Sequence, residues 1–409
     1  MVAEPVLATV EMLNLAYSKV SDFISSLTNA TYNTNIYDKV SKFNPFIEDH
    51  HFQPTKSFWE KVGDHIVEHR LSYISILSVG IGLGGYFQYK SKASEPKNGH
   101  RRRVRKLPNG ARRDAVLLVG SPTEPLTRLM ALDLEKRGFI VYLTILDEKD
   151  EKYVEANSIM EDLDYLNLSD SYSFDMHLSK FRKLLQMPVV PFVGAEPHTL
   201  NLLGIVLAPL LYFPIGPIEN ITVASWLKVN ERLNVYLKLL SSGLVSMARE
   251  HKSKLIVVYP NVVRNLTIPY HAPEAVFQSS VHSLFTALSR ELYTQNIPVT
   301  HIRMGNLNVS SHDKSYDKSK ISSLVASEMK GWNEDVKSIY ADRFAKAEYR
   351  ANPIRSTGKG TSLRDFYHTI FDVLYSKNPP KVIYCGTGAR TYEWILRFLP
   401  QSFLDLVLR

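Results

Sequence analysis

From Asp114 onward the chain alternates short apolar runs with longer helical patterns, and this alternation restricts the fold more than any other feature of the sequence. The runs, rich in valine, isoleucine and leucine, lie at 115–119, 203–208, 254–259, 299–304 and 381–386. Mainly apolar runs of this length are typical of strands that are buried on both faces. The stretches between them, including 226–248 and 275–291, have helical spacing. The pattern predicts an α/β fold over residues 114–409, a doubly wound parallel sheet with helices on both faces.

The start of this region has the order strand, turn, helix, strand. The run AVLLV ends at Gly120, the turn SPTEPLT follows, and the helical pattern RLMALDLEKRG precedes the strand FIVYLTI. In this helix Leu129, Leu132 and Leu134 are expected to face the sheet. A unit of this kind binds the phosphates of a nucleotide at the N-terminus of its helix. A nucleotide is therefore expected at the turn after Gly120.

An earlier glycine motif has the spacing of a nucleotide loop but a different setting. Gly80, Gly82 and Gly85 form G-x-G-x-x-G, which binds a pyrophosphate only between a strand and a helix. They lie instead within residues 71–89, nineteen residues without a charge. A helix of that length spans roughly 28 Å, about the hydrocarbon thickness of a bilayer. The stretch predicts a transmembrane helix, with a buried helix of a soluble domain as the alternative.

The positive charge of the chain is concentrated beside this stretch. Ten basic residues and one acidic residue lie between Lys90 and Arg113, more positive charge than the net +8 of the whole chain. Basic residues flank the cytosolic ends of membrane helices, so residues 90–409 are expected in the cytosol. Residues 90–113 are predicted to be a basic linker, which either is simply solvated or contacts anionic headgroups. No nucleic-acid partner is expected, because aromatic residues are not interleaved with the basic ones.

The remaining features of the N-terminal part concern partners. Residues 1–70 predict a helical segment that lies on a membrane or packs against a partner. Gly80 and Gly84 form a G-x-x-x-G pattern on which a partner membrane protein could pack. The endoplasmic reticulum membrane is the expected location, with the mitochondrial outer membrane as the alternative. Cys385 is the only cysteine, which excludes an intramolecular disulfide and a cysteine-based zinc site; no metal is predicted.

Residues 114–409 resemble the short-chain dehydrogenase/reductase family. The segment VLLVGSPTEPLTRLMALDLEKRGFIVYL is similar to its first strand, glycine turn and first helix, and LNLSD at 166–170 resembles its third strand. The segment IPYHAPEAVFQSSVHSLFTALSRELYTQNIPVTHIRMGNL is similar to its active-site helix and the strand after it. The C-terminus resembles the membrane-associated steroid and retinol dehydrogenases. More narrowly, the anchor and His-Ala-Pro-Glu at 271–274 resemble a little-characterised fungal family of membrane-anchored oxidoreductases.

The resemblance implies a Rossmann-like domain and a cofactor, NADP or NAD. The cofactor-binding positions it implies are Gly120, Ser121, Asp147, Asn167, Ala208 and Gly305. The two later glycines of the family's turn are replaced here by residues from the run 124–127. Glycines at these positions let the backbone approach the pyrophosphate and let the helix pack on the strand, whereas Glu124 adds a negative charge that faces the phosphates. Binding of the cofactor is therefore expected to be weakened.

The resemblance also implies the catalytic positions. In the family a tyrosine transfers the hydroxyl proton, and a lysine four residues later lowers the pKa of that tyrosine. Tyr270 takes the position of the tyrosine, but Glu274 stands where the lysine is expected, and a neighbouring anion raises a tyrosine pKa. Asn261 stands near the position of the family's serine and is the second catalytic candidate. The alternative for Tyr270 is an aromatic side chain packed at the start of a helix.

Two functions follow from these observations. The first is a membrane-anchored NAD(P)-dependent oxidoreductase that acts on a lipophilic substrate, with residues 310–323 as a substrate lid or simply a solvated loop. The second is a catalytically degenerate pseudoenzyme, a lipid-binding or scaffolding subunit of a membrane protein complex.

Overall fold

The computed structural model describes residues 102–157, 163–170, 172–308, 314–356, 361–386 and 388–398. They all belong to the second of two units into which the chain divides, Gly99–Arg409. The predicted segment 1–70, the predicted transmembrane helix 71–89 and residues 90–101 of the predicted linker lie outside the described residues. Within the described ranges, no helix combines the length and the apolar character that a bilayer crossing requires.

The strands are β1 (Asp114–Val119), β2 (Ile140–Ile145), β3 (Leu163–Asn167), β4 (Asn201–Leu207), β5 (Lys254–Pro260), β6 (Val299–Met304), β7 (Leu307–Asn308), β8 (Thr361–Ser362) and β9 (Val382–Cys385). In the described part of the chain, seven of them form one parallel sheet in the order β3-β2-β1-β4-β5-β6-β9. The strand order reverses between β1 and β4, as in a Rossmann fold. Ligands of such folds bind in the crevice outside the carboxyl ends of these two strands. The predicted doubly wound parallel sheet is confirmed.

The helices are α1 (Pro125–Arg137), α2 (Glu148–Ala156), α3 (Phe174–Gln186), α4 (Val223–Leu239), α5 (Val245–His251), α6 (Val262–Leu266), α7 (Ala272–Glu291), α8 (Lys314–Lys330), α9 (Glu334–Ser356), α10 (Leu363–Tyr375) and α11 (Ala389–Phe398). Strand β1 illustrates how they cover the sheet, because successive side chains point to opposite faces. Leu117 packs in the core beneath α3, α4 and α7. Leu118 packs in the other core, beneath α1 and α10. Both faces of the sheet are therefore buried.

Helix α1 has a different buried face from the one predicted. Leu134 is buried as expected, but Leu129 is 40% exposed. The buried residues include Leu126, Met130 and Leu134. Residues four apart lie on one face of a helix, and these three follow that spacing from the first turn, so the prediction for Leu129 is wrong. The helix ends at Gly138, whose φ of 102° is the left-handed conformation that glycine adopts at helix ends.

The predicted helix 226–248 is interrupted. Helices α4 and α5 are joined by a π-helical turn, Leu240–Leu244, in which Gly243 has a φ of 98°. A single helix would need this residue in the right-handed region, so Gly243 is the local cause of the kink.

A helical hairpin replaces the loop that was predicted at 310–323. Residues 310–313 lie outside the described residues, and 314–323 belong to α8. Helices α8 and α9 pack against each other and enclose a small core of Val325, Trp332 and Phe344. The interpretation of this segment as a solvated loop is wrong for its described part, and the substrate lid stays a prediction.

Residues 102–113, the described end of the predicted linker, contact the domain. The Val104 N–H donates to the Arg137 carbonyl oxygen at 2.9 Å, at the end of α1. The Arg102 guanidinium forms an ion pair with Asp372 on α10, with 2.9 Å between Nε and Oδ1. The chain therefore approaches β1 along the ends of α1 and α10.

Candidate functional site

The turn after β1 places Gly120 against the end of β4. The Gly120 N–H donates to Thr144 Oγ1 at 2.9 Å, and the Thr144 hydroxyl donates to the Gly120 carbonyl oxygen at 3.0 Å. A Cβ atom on Gly120 would lie 2.7 Å from the Cβ of Ala208. The structure thus brings Gly120 and Ala208 together at the crevice between β1 and β4. There is no room for a side chain at position 120, which explains why a glycine stands there.

Ser121 is hydrogen-bonded to the carboxylate of Asp150. Its hydroxyl donates to Asp150 Oδ1, and the Thr123 hydroxyl donates to the same oxygen at 3.1 Å. The Leu146 N–H donates to Asp150 Oδ2 at 3.0 Å. Asp150 is fully buried, and burial raises its pKa although these hydrogen bonds oppose the shift. The turn after β1 is therefore cross-linked to the end of β2 through Asp150.

Asp147 and Asn167 also have partners within the domain. Asp147 precedes α2 and caps it, because its Oδ1 accepts the Asp150 N–H at 2.8 Å. Asn167 at the end of β3 donates to Glu151 Oε1 at 2.9 Å and accepts the Ser169 N–H at 3.0 Å. Both stand at the carboxyl edge of the sheet, where the sequence places them. Their predicted contacts with a ribose and an adenine remain predictions.

Gly305, at the end of β6, is packed against the end of β9. Its N–H donates to the Cys385 carbonyl oxygen at 2.8 Å. A Cβ atom on Gly386 would lie 2.8 Å from the carbonyl carbon of Gly305. Two glycines therefore allow the two backbones to touch.

Glu124, the last residue before α1, projects into the crevice. It is 3% exposed, and its side chain does not cap its own helix. The backbone N–H groups of Leu211 and Tyr212, in the segment after β4, interact with its carboxylate. Burial is the largest effect on its pKa, which is raised, while the Arg232 guanidinium opposes the shift.

The residues of this crevice do not fit a dinucleotide bound in the usual Rossmann manner. A pyrophosphate is bound where the backbone of a glycine-rich turn approaches it at a helix N-terminus. Here Glu124 stands in that turn and is buried, and Asp150 adds a second buried carboxyl group nearby. Two acidic side chains would repel the phosphates, and the Glu124 side chain occupies space that a glycine leaves open.

Tyr270 is packed under the hairpin of α8 and α9. Its ring meets Phe344 edge to face, with the centroids 5.3 Å apart, and it meets Tyr340 at 6.4 Å. Its φ is 68°, a conformation that bulky residues rarely adopt. Burial raises its pKa although Arg343 opposes the shift, so the phenol is held in its protonated form.

Glu274 pairs with a histidine. Helix α7 begins at Ala272, so Tyr270 lies before the helix and does not share a helical face with Glu274. Glu274 Oε2 lies 3.7 Å from His271 Nδ1, and His271 Nε2 lies 2.8 Å from Glu348 Oε1 on α9. In the structure, the raised pKa of Tyr270 has burial as its cause rather than the predicted effect of Glu274.

Gln278 is a site residue that sequence reasoning missed. It is buried, and its Nε2 donates to the Leu210 carbonyl oxygen at 3.1 Å, in the segment after β4. It follows Glu274 by four residues, so the two share one face of α7. The pair Glu274 and Gln278, rather than Tyr270 and Glu274, shares a face of the helix. The signal in the sequence was the four-residue spacing of two polar residues, Glu274 and Gln278, among the apolar residues of α7.

Asn261 joins the end of β5 to the C-terminal helix. It is fully buried, and its Nδ2 donates to the Ala389 carbonyl oxygen at 2.8 Å and to Glu393 Oε2 at 3.1 Å. Its Oδ1 accepts from Arg264 at 3.0 Å. These contacts use both ends of the amide to hold α11 in place. A role beside Tyr270 stays a prediction.

A second polar cluster, also missed from sequence, lies between β5, β6 and α7. Tyr259 Oη is 2.8 Å from His282 Nδ1 and accepts from Arg303 Nε at 3.2 Å. Burial raises the pKa of Tyr259, whereas burial and the arginines lower the pKa of His282 to about 4. At neutral pH both groups are uncharged and the proton stays on the phenol.

Within the described ranges, no group of three or more His, Cys, Asp or Glu residues could hold a metal ion.

Two substitutions of Tyr270 distinguish its ring from its hydroxyl group. Tyr270→Phe keeps the ring contacts and should change the free energy of unfolding by about 1 kcal/mol or less. Tyr270→Ala removes a partly buried ring that packs against the core of the hairpin and should lower that free energy by about 2 kcal/mol. Urea unfolding of both variants measures the difference. An equal cost for the two would show that the hydroxyl group, not the packing, maintains the structure.

The chain is similar to one fungal protein family and to proteins of two yeasts. Residues 111–405 match the model of a fungal family of unknown function, DUF1776. A UPF0744 protein of Schizosaccharomyces pombe is 24% identical over 65% of this chain and 69% of its own length. A UPF0744 protein of Saccharomyces cerevisiae is 26% identical over 58% of this chain and 54% of its own length. The chain thus spans about half of the budding-yeast relative.

Solved structures with a similar fold include two short-chain dehydrogenases. One, from Streptomyces avermitilis, has 14% identity and a TM-score of 0.46 and covers 72% of this chain and 93% of its own. The other, from Burkholderia cenocepacia and in complex with NADP, has 10% identity and a TM-score of 0.47 and covers 73% of this chain and 98% of its own. At these scores the fold assignment depends on the strand order itself. On the match over residues 111–405, the chain belongs to the fungal DUF1776 family.

Proposed function

We propose that this protein is a catalytically inactive Rossmann-domain protein, a binding or scaffolding subunit that a helix at 71–89 anchors to a membrane. The observation that carries the proposal is the position of Tyr270. Its ring is packed against Phe344 and Tyr340, and its pKa is raised. Reduction or oxidation of a carbonyl or alcohol needs a proton donor beside the reacting oxygen, with a pKa near the working pH. Tyr270 has the opposite environment.

The neighbouring polar residues support the same conclusion. Asn261 is bound to Ala389, Glu393 and Arg264, and Glu274 faces His271. The contacts of Asn261 with Ala389 and Glu393 join β5 to α11, while the contacts of Asn261 with Arg264 and of Glu274 with His271 hold the starts of α6 and α7. The polar groups at this edge of the sheet therefore act as structural links.

A turnover experiment tests the proposal. The full chain is reconstituted in vesicles of fungal lipid, reduced or oxidised NADP or NAD is added, and the absorbance of the reduced nicotinamide is followed. We expect no rate above that of Tyr270→Phe, which keeps the packing and lacks the hydroxyl group. Lipids extracted before and after incubation should be identical by mass spectrometry.

The oxidoreductase hypothesis predicts the opposite result. A rate with the wild-type protein that Tyr270→Phe abolishes would make Tyr270 a proton donor and contradict the proposal.

The membrane part of the proposal depends on the uncharged stretch 71–89 and on the basic residues after it. A glycosylation reporter attached to either end of the chain tests the topology. Modification at the N-terminus alone is expected, and modification at the C-terminus would reverse the proposed orientation.

A further inference from the structure

We infer that the Glu124 carboxylate is a built-in occupant of the crevice between β1 and β4, in the place where a nucleoside diphosphate would bind, and that its removal opens an anion site there. The inference deepens the proposed function and depends on it, since it gives a physical reason why a dinucleotide would be excluded. It makes Glu124 the residue that determines what this crevice excludes.

The position of Glu124 in the fold is the first argument. It is the residue before α1, whose N-terminus points to the crevice, and Pro125 follows it at the first helical position. The N–H groups in the first turn of a helix have no partners within the helix and attract anions. A carboxylate at this point takes the place of an external anion.

The partners of the carboxylate are the second argument. Glu124 forms no hydrogen bond that caps α1, and the N–H groups of Leu211 and Tyr212 interact with it from the segment after β4. Arg232 on α4 donates to the Tyr212 carbonyl oxygen at 2.7 Å, and its charge attracts the carboxylate. The side chain therefore connects the two sides of the crevice, as a bound ligand would.

Unpaired buried atoms are the third argument. Glu124 Oε2 and Thr127 Oγ1 are two of seven buried side-chain atoms of the described residues that have no hydrogen-bond partner. Both belong to the start of α1, and Thr127 Oγ1 would lie 3.2 Å from a Cβ atom on Gly120. Such atoms are costly in a folded protein and cluster where a structure has a use for them. Here the two atoms indicate a polar site in which Glu124 leaves some hydrogen-bonding groups without a partner.

Two variants test the inference. Glu124→Gly removes the side chain and its charge, and Glu124→Gln removes the charge and keeps the size. Binding of ADP and of inorganic pyrophosphate to the full chain is measured by calorimetry. At least a tenfold gain in affinity over wild type is expected for Glu124→Gly with one or both probes, and a smaller gain for Glu124→Gln. Glu155→Gln, at an exposed position on α2, controls for the change in net charge.

The outcomes separate this inference from the proposed function. If folded Glu124 variants bind neither probe better than wild type and Glu155→Gln, the inference is overturned while the proposed function stands. If wild type itself binds ADP or NADPH tightly, the crevice is open and both fail. If Glu124→Gly does not fold, the isosteric Glu124→Gln decides: a gain in affinity supports the inference, and no gain overturns it.

The pH dependence of stability gives a second measurement. Because the folded pKa of Glu124 is raised above 4.5, the stability that this group contributes is present below that pH and is lost as the pH rises through the folded pKa. Glu124→Gln does not ionise, so its melting temperature relative to wild type should increase from pH 4.5 to neutral pH. A difference that does not vary with pH would contradict a buried carboxylate at this place.

Discussion

Replacing Gly386 with alanine should lower the free energy of unfolding by about 3–5 kcal/mol, through backbone strain and steric overlap together. Gly386 has a φ of 102°, and a Cβ atom there would lie 2.8 Å from the carbonyl carbon and 2.9 Å from the nitrogen of Gly305. Both contacts are with backbone, which cannot rotate away as a side chain can. The substitution must therefore separate the ends of β6 and β9. Urea unfolding of the variant measures the loss.

Gly110→Ala is the matched control. Gly110 also has a positive φ, 83°, but a Cβ atom there would meet nothing within 4 Å. It should therefore cost about 1 kcal/mol, from the backbone conformation alone. Equal losses for the two variants would mean that the backbones at Gly305 and Gly386 do not touch.

Acidification should destabilise the protein through His301, by roughly 2 kcal/mol between pH 6.5 and pH 5. His301 is 4% exposed, and burial, with Arg303 and Arg264, lowers its pKa to about 4. The unfolded chain therefore takes up a proton as the pH falls through 6.5, while the folded protein does not. Stability from this group is present above pH 6.5 and is lost as the pH falls towards 4. His282, which is half-buried, acts in the same direction.

The variant His301→Gln separates this effect from other titrations. Glu124 and Asp150, whose pKa values are raised, act in the opposite direction, so the slope of the wild type alone does not identify the histidine. The free energy of unfolding is measured for both proteins at neutral pH and near pH 5. The variant should lose less stability than the wild type over this interval. The same loss in both would rule out an uncharged buried His301.

The sheet could be predicted from the sequence because both of its faces are buried. A strand such as β1 must be apolar along most of its length, and its predicted bounds, 115–119, fall one residue short of the observed Asp114–Val119. The position of Gly120 was predictable for a similar reason, since a strand that ends in glycine before a helix is a local pattern. Local signals of this kind do not depend on distant partners.

The relation between Tyr270 and Glu274 could not be predicted from spacing. Four residues correspond to one helical turn only if both residues are helical, and Tyr270 has a left-handed backbone before α7 begins. Its surroundings are set by α9, far along the chain. The sequence raised a packed aromatic as one of two alternatives, and the structure shows the long-range packing of the ring, while the catalytic role stays a prediction.

The hairpin of α8 and α9 was missed because its helices lack a strong apolar face. Their few apolar side chains are concentrated near Trp332 and Phe344, and these pack on Tyr270 and Ile215 from other parts of the chain. Periodicity detects a helix when its own sequence repeats an apolar stripe. A helix that is stabilised by a few contacts with distant residues leaves no such repeat.

From the sequence, Glu124 could be recognised as an acidic residue at a position that favours glycine. Its interactions across the crevice could not be recognised. The sequence shows an acid where the short-chain dehydrogenase/reductase pattern that it resembles has glycine. The donors that bind it, the N–H groups of Leu211 and Tyr212, are backbone groups almost ninety residues away, which carry no signature in the sequence. The sequence shows that the glycine motif is altered at Glu124, but only the fold shows that this side chain lies in the crevice.

Calorimetric titration of the full chain with NADPH and with NADH tests the central claim most directly, namely that this Rossmann domain has lost its nicotinamide cofactor. The account predicts no heat of binding at cofactor concentrations of up to about 1 mM, where even a free energy of binding of about −4 kcal/mol would be detected. Binding with a micromolar dissociation constant, weakened by Tyr270→Ala or altered by substitutions of Gly120, would contradict it.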